Sequence, residues 1–72
     1  MSMKSDVMIV LARGANAFEI LGEICGRDGV VHSYDGDMGV LEATLAAEHV
    51  GALAAVNGVA YVRPVMTFAH AA

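Results

Sequence analysis

The sequence predicts a two-layer α+β sandwich with the element order strand, helix, strand, strand, helix, strand. Apolar alternation marks Val7–Leu11 and Val40–Leu45 as strands. Two stripes with helical spacing, Ala17/Ile20/Leu21/Ile24 and Ala46/Val50/Leu53/Ala54, follow the first and third strands. Only short turns separate the elements. Two right-handed crossovers sharing a hairpin then give the ferredoxin-like βαββαβ arrangement: a four-stranded antiparallel sheet with two helices on one face. The first and third strands are central, and the other sheet face is bare.

Each element has a local cause. Asp6–Ala12 is a β-branched run, apolar on both faces, as a central strand requires. Arg13-Gly14-Ala15 breaks it. Asn16 is suited to N-cap a helix, with Glu19 three residues on to reach back to the cap. Phe18 and Cys25 flank the stripe of this helix, and Cys25 is expected in the core. Gly22 costs the helix up to ~1 kcal/mol relative to Ala and suggests close helix–sheet approach. Gly26 ends the helix and Arg27-Asp28-Gly29 is a turn.

Val30–Tyr34 is the second strand, and Asp35–Gly39 a hairpin connection with glycines available for positive φ. In Val40–Leu45, Leu41, Ala43 and Leu45 form one face and Val40, Glu42 and Thr44 the other. The second helix covers about Ala46–Val56, and Asn57-Gly58 closes it. Val59–Arg63 is the last strand. Pro64 ends it or sits at an edge, and residues 65–72 form an apolar extended C-terminal tail. Leu11, Ile20, Leu21, Ile24, Leu41, Leu53 and Val62 are expected in one core.

The 72 residues make one domain, 1–72. Eight carboxylates against four basic residues give a net charge of −4, so phosphate-backbone binding has no source. One cysteine excludes an internal disulfide and a CxxC pair. No apolar run approaches the roughly 20 residues that span a bilayer, and the run Val7–Ala12 is too short for a signal-peptide core. These features predict a cytoplasmic chain that binds neither nucleic acid nor membrane.

Several groupings resemble chemical sites and have plainer readings. His32, Ser33, Asp35 and Asp37 lie close in sequence, but strand alternation sends His32 and Ser33 to opposite faces, so they are not a nucleophile–base pair. His32, His49, His70 and Cys25 match no metal-ligand spacing. Asp35-Gly36-Asp37 lacks the later ligands of a calcium loop and reads as turn chemistry. Gly36 and Gly39 are followed by no lysine, so they form no phosphate loop. Neither a cofactor nor a catalytic activity is expected.

The stretch His32–Pro64 resembles the subtilisin propeptide-like inhibitor family. The resemblance rests on Val40–Leu45, with its alternation of Leu and Ala, on Glu48–Val56, and most of all on Gly58-Val59-Ala60-Tyr61-Val62. Val7–Ala12 is similar to the first strand of that family. Members often carry acidic residues just after the last strand, where this chain reads Arg63-Pro64-Val65. The resemblance implies an inhibitor or intramolecular-chaperone-like domain, not an enzyme, whose partner is a subtilisin-like serine protease. It implies docking through the bare sheet face, with Thr67, Phe68, Ala69, His70, Ala71 and Ala72 as a protease-binding tail in the substrate cleft. The competing expectation is a small ferredoxin-like binding or oligomerisation module of regulatory type. Self-association into a homo-oligomer is expected through the bare face or an edge, with Val31, Val40 and Tyr61 as candidates.

Overall fold

The structure, a computed structural model, describes residues 3–65. It is the expected α+β sandwich of ferredoxin-like βαββαβ order. The elements are β1 (Lys4–Leu11), α1 (Ala17–Gly26), β2 (Val30–Asp35), β3 (Val40–Ala46), α2 (Ala47–Ala54) and β4 (Val59–Pro64). The sheet order is β2-β3-β1-β4 and every pairing is antiparallel, so β1 and β3 are central.

One core fills the space between the layers. The sheet contributes Val7, Ile9, Leu41, Ala43 and Leu45, α1 contributes Ile20 and Ile24, and α2 contributes Leu53. All are buried, and both helices therefore sit on the same sheet face. The register pairs Val7 with Ala43 and Ile9 with Leu41, so the two central strands present matched apolar rows. Leu11, Leu21 and Val62, expected inside, are half-buried and pack against the margin of this core. Leu11 is the last residue of β1, and Val62 lies on an edge strand, where one neighbour is missing on each.

Helix α1 starts at its expected cap, though the Glu19 side chain makes no return bond to Asn16. Asn16 is extended, and its Oδ1 accepts the Phe18 N–H at 2.9 Å. It ends at Gly26, as expected, and Arg27-Asp28-Gly29 turns the chain. The Gly29 N–H donates to Ile24 O at 2.9 Å and the Asp28 N–H to Cys25 O at 3.0 Å, a Schellman closure in which Asp28 takes the left-handed φ of 59°. Gly29 is needed at the next position for space. A Cβ there would lie 2.6 Å from Ile24 Cγ2 and 2.9 Å from the Ile24 carbonyl. Because an aspartate is strained where glycine is not, Asp28→Gly should stabilise the domain by up to ~1 kcal/mol. Urea unfolding followed by circular dichroism checks this, and an unchanged or lower midpoint would refute it.

Three side chains leave the places expected of them. Cys25 is exposed on α1, because it lies one residue past Ile24 and so about 100° round the helix from the buried side. Gly22 is exposed with nothing within 4 Å of its Cβ direction, so it mediates no helix–sheet approach. In α2, shorter than expected at Ala47–Ala54, Leu53 is buried and Val50 half-buried, but Ala54 is exposed. The helices are tied by the His49 ring, whose Nδ1–H donates to the Arg27 carbonyl at 3.2 Å.

Candidate functional site

With both helices on one side, the opposite sheet face is left uncovered by the described residues. Strand alternation fixes who lies there. Val7 and Ile9 point into the core, so Asp6, Met8 and Val10 point away from it; by the same parity Val40, Glu42 and Thr44 of β3 do too. The register sets Asp6 beside Thr44, Met8 beside Glu42 and Val10 beside Val40. On the other side of β1, β4 sets Arg63 beside Met8 and Tyr61 beside Val10. The face is thus apolar at one end, through Val10, Val40 and Tyr61, and polar at the other.

The polar end is ordered by a β-bulge that the sequence pattern does not reveal. In β2, Val31 pairs with Ala43 and Ser33 with Glu42, leaving His32 as an extra residue. The extra residue cancels the alternation, and His32 and Ser33 both reach the uncovered face. The expectation that they point to opposite faces is therefore incorrect. His32 Nε2 lies 2.6 Å from Thr44 Oγ1, and Ser33 Oγ donates to Glu42 Oε1 at 3.0 Å. Thr44 Oγ1 in turn donates to Asp6 Oδ1 at 2.5 Å. Since the threonine proton goes to Asp6, the histidine nitrogen is the donor to Thr44.

The direction of these bonds fixes the roles in the network. The Thr44 hydroxyl donates to Asp6 and the Ser33 hydroxyl to Glu42, while the His32 ring donates to Thr44, so the imidazole is not the base for either hydroxyl in this arrangement. The bonds hold five side chains from three strands in fixed orientations on the sheet surface. Beside them Asp6, Val7, His32, Glu42, Ala43 and Val65 line a shallow depression of about 170 Å³.

The other candidates separate in space. His49 lies in the helix layer on the Arg27 carbonyl and Cys25 is on α1, the far side of the sheet from His32. Among the described residues no group of three or more His, Cys, Asp or Glu could hold a metal ion. Asp35 Oδ1 accepts the N–H groups of Asp37 and Met38 at 3.0 and 3.2 Å, an Asx turn that occupies the carboxylate in hairpin geometry. No helix among the described residues is long and apolar enough to cross a membrane.

Both edges of the sheet are blunted. The extra residue of the bulge in β2 is His32, and a second irregularity leaves Ala60 of β4 unpaired between Val59 and Tyr61. β4 also ends in Pro64. Bulges and proline on edge strands oppose the addition of a further strand. Of the expected surface residues, Val40 and Tyr61 lie on the uncovered face, whereas Val31 packs against the core. The chain leaves the sheet along β1, where the Val65 N–H donates to Asp6 O at 2.9 Å. Thr67, Phe68, Ala69, His70, Ala71 and Ala72 lie outside the described residues. No family model, curated protein or solved structure matches the chain.

Proposed function

We propose that the chain binds a subtilisin-like serine protease through its uncovered sheet face and inhibits it with its C-terminal tail. The observation that supports this reading is the uncovered face itself. Met8, Val10, Val40 and Tyr61 offer apolar area there, beside a hydrogen-bonded polar cluster that fixes orientation. The blunted edges favour docking by the face over docking by strand addition at β2 or β4. The similarity of Gly58–Val62 to the last strand of the inhibitor family supplies the class of partner.

Inhibition is by occupancy. A rigid sheet held on the protease lowers the entropy cost of laying Thr67–Ala72 in the cleft. Main-chain hydrogen bonds to the enzyme supply affinity and alternate side chains supply selectivity. Ala72 fills the primary pocket and Ala69 faces the pocket three residues upstream, where many subtilisins prefer bulk. Inhibition of such enzymes is therefore weak or temporary, and Ala69→Phe strengthens it.

A panel of subtilisin-like proteases tests the reading. The full chain should inhibit at least one, Ala69→Phe should inhibit it better, and deletion of Thr67–Ala72 should remove inhibition while the far-ultraviolet circular dichroism stays unchanged. Inhibition that survives the deletion would show that the tail is not the inhibitory element. Absence of inhibition across the panel would favour a binding or oligomerisation module instead.

A further inference from the structure

Among the described residues, four of the six exposed large apolar side chains lie toward one end of the molecule, with Met3 and Val30 toward the other. Phe18 (83% exposed) lies in the first turn of α1, just beyond the end of β1. Tyr34 (50%) and Met38 (73%) belong to the β2–β3 hairpin, and Tyr61 (52%) pairs with Val10 near the same end. The chain leaves toward residue 66 at the opposite end, beside Asp6. Between the loop that follows β1 and the hairpin runs a groove of about 490 Å³. Its lining is more polar than apolar: Leu11, Tyr34 and Met38 are the larger apolar side chains, while Arg13 lines it from one loop and Asp37 from the other. Within the described residues neither Arg13 nor Asp37 has an ion-pair partner.

We propose that this groove is the contact surface for a second copy of the chain in a closed, two-fold dimer. A two-fold axis brings each residue of the patch against the equivalent patch, so one cation and one anion in the same groove satisfy each other twice. Arg13 meets Asp37 of the partner subunit, and the reverse, with Tyr34 and Met38 excluding water between them. Charge argues against the uncovered sheet face as the self-association surface. By strand parity that face carries Asp6, Asp35 and Glu42 against Lys4 and Arg63, a net negative charge on each copy, so stacking two copies there sets a surplus of like charge together. The groove balances its charges, lies away from the tail exit, and leaves the sheet face free for another partner.

Sedimentation velocity on the full chain, over about 1 µM to 1 mM, tests this. The unmodified chain should show a monomer–dimer equilibrium. Arg13→Glu and Asp37→Arg should each weaken it about tenfold or more, because each replaces two attractions with two repulsions. The combined variant Arg13→Glu/Asp37→Arg should restore dimerisation, and Met38→Glu should abolish it. All three positions are exposed, so the variants should keep the fold. A monomer throughout the range, single variants that dimerise unchanged, or a combined variant that stays monomeric would each overturn the proposal. If that monomer shows saturable amide shifts at Arg13–Ala15 and Gly36–Gly39 with L-glutamate or L-phenylalanine, the groove is a small-molecule site instead. Protease inhibition is read separately, and these variants should leave it unchanged.

Discussion

Leu41→Ala should lower the urea midpoint of unfolding more than any surface substitution. Leu41 is fully buried at the middle of the sheet, on β3, directly beside Ile9 of β1. Removing its three outer carbons forfeits their transfer free energy and leaves a cavity, a loss of about 2–5 kcal/mol. A domain of this size holds only about 0.05–0.15 kcal/mol per residue in total, ~4–11 kcal/mol for the whole chain. At full burial Leu41 belongs near the upper end of that range, about 5 kcal/mol, which takes from roughly half of the margin to all of it. The core offers little room to recover, because the eight clustered residues are drawn from four elements and none has a second layer behind it. Urea titration followed by circular dichroism measures the effect. Cys25→Ser, on the outer surface of α1, is the control and should shift stability by less than about 0.5 kcal/mol. A Leu41→Ala midpoint close to that of the control would mean that the layers are not held by this core.

The second large effect is on binding. Val10→Arg should lower protease affinity by roughly a hundredfold, the result of burying an unpaired charge at about 3 kcal/mol. Val10 is half-buried on the uncovered face, between Val40 and Tyr61, where the face is most apolar. Its outward position leaves the core intact, so the variant should unfold at nearly the same temperature as the unmodified chain. The Val10→Arg affinity is measured by titration calorimetry against a protease whose nucleophile has been chemically blocked. Tyr61→Ala, on the edge strand of the same patch, should weaken binding less and tolerate the change more easily. Unchanged affinity in both would remove the sheet face from the interface.

The elements were legible because their signals are periodic. Val7–Leu11 and Val40–Leu45 alternate, and only one choice of face places Val7, Ile9, Leu41, Ala43 and Leu45 together; the structure uses that choice. Asn16 marked the start of α1 because a side-chain oxygen at that place has one local donor to accept from. What stayed hidden depends on single insertions and on partners distant in sequence. The bulge at His32 is one extra residue in a strand five or six long, and alternation over so short a run gives no sign of it. It nevertheless decides which side chains share a face, and so brings His32, Ser33, Glu42, Thr44 and Asp6 together from three strands. The α1 stripe was read too wide. Ile20 and Ile24 suffice to fill the gap over the sheet, and Phe18 and Cys25, on its flanks, face outward. The turn after α1 gives no sign in sequence of which residue enters the left-handed region: Asp28 takes it, and Gly29 answers a close contact with Ile24. The end groove was not legible at all, since Arg13 and Asp37 are 24 residues apart and come to line one groove only through the β1–β3 register.

The most direct test of sheet-face docking is a methyl spectrum of the labelled chain with and without one equivalent of a blocked subtilisin-like protease. The methyl signals of Met8, Val10 and Val40 should shift or broaden, while those of Ile24 and Leu53, buried between the helices and the sheet, should stay in place. Perturbation confined to Met38 and the helix layer, with Met8, Val10 and Val40 unmoved in a saturated complex, would contradict sheet-face docking.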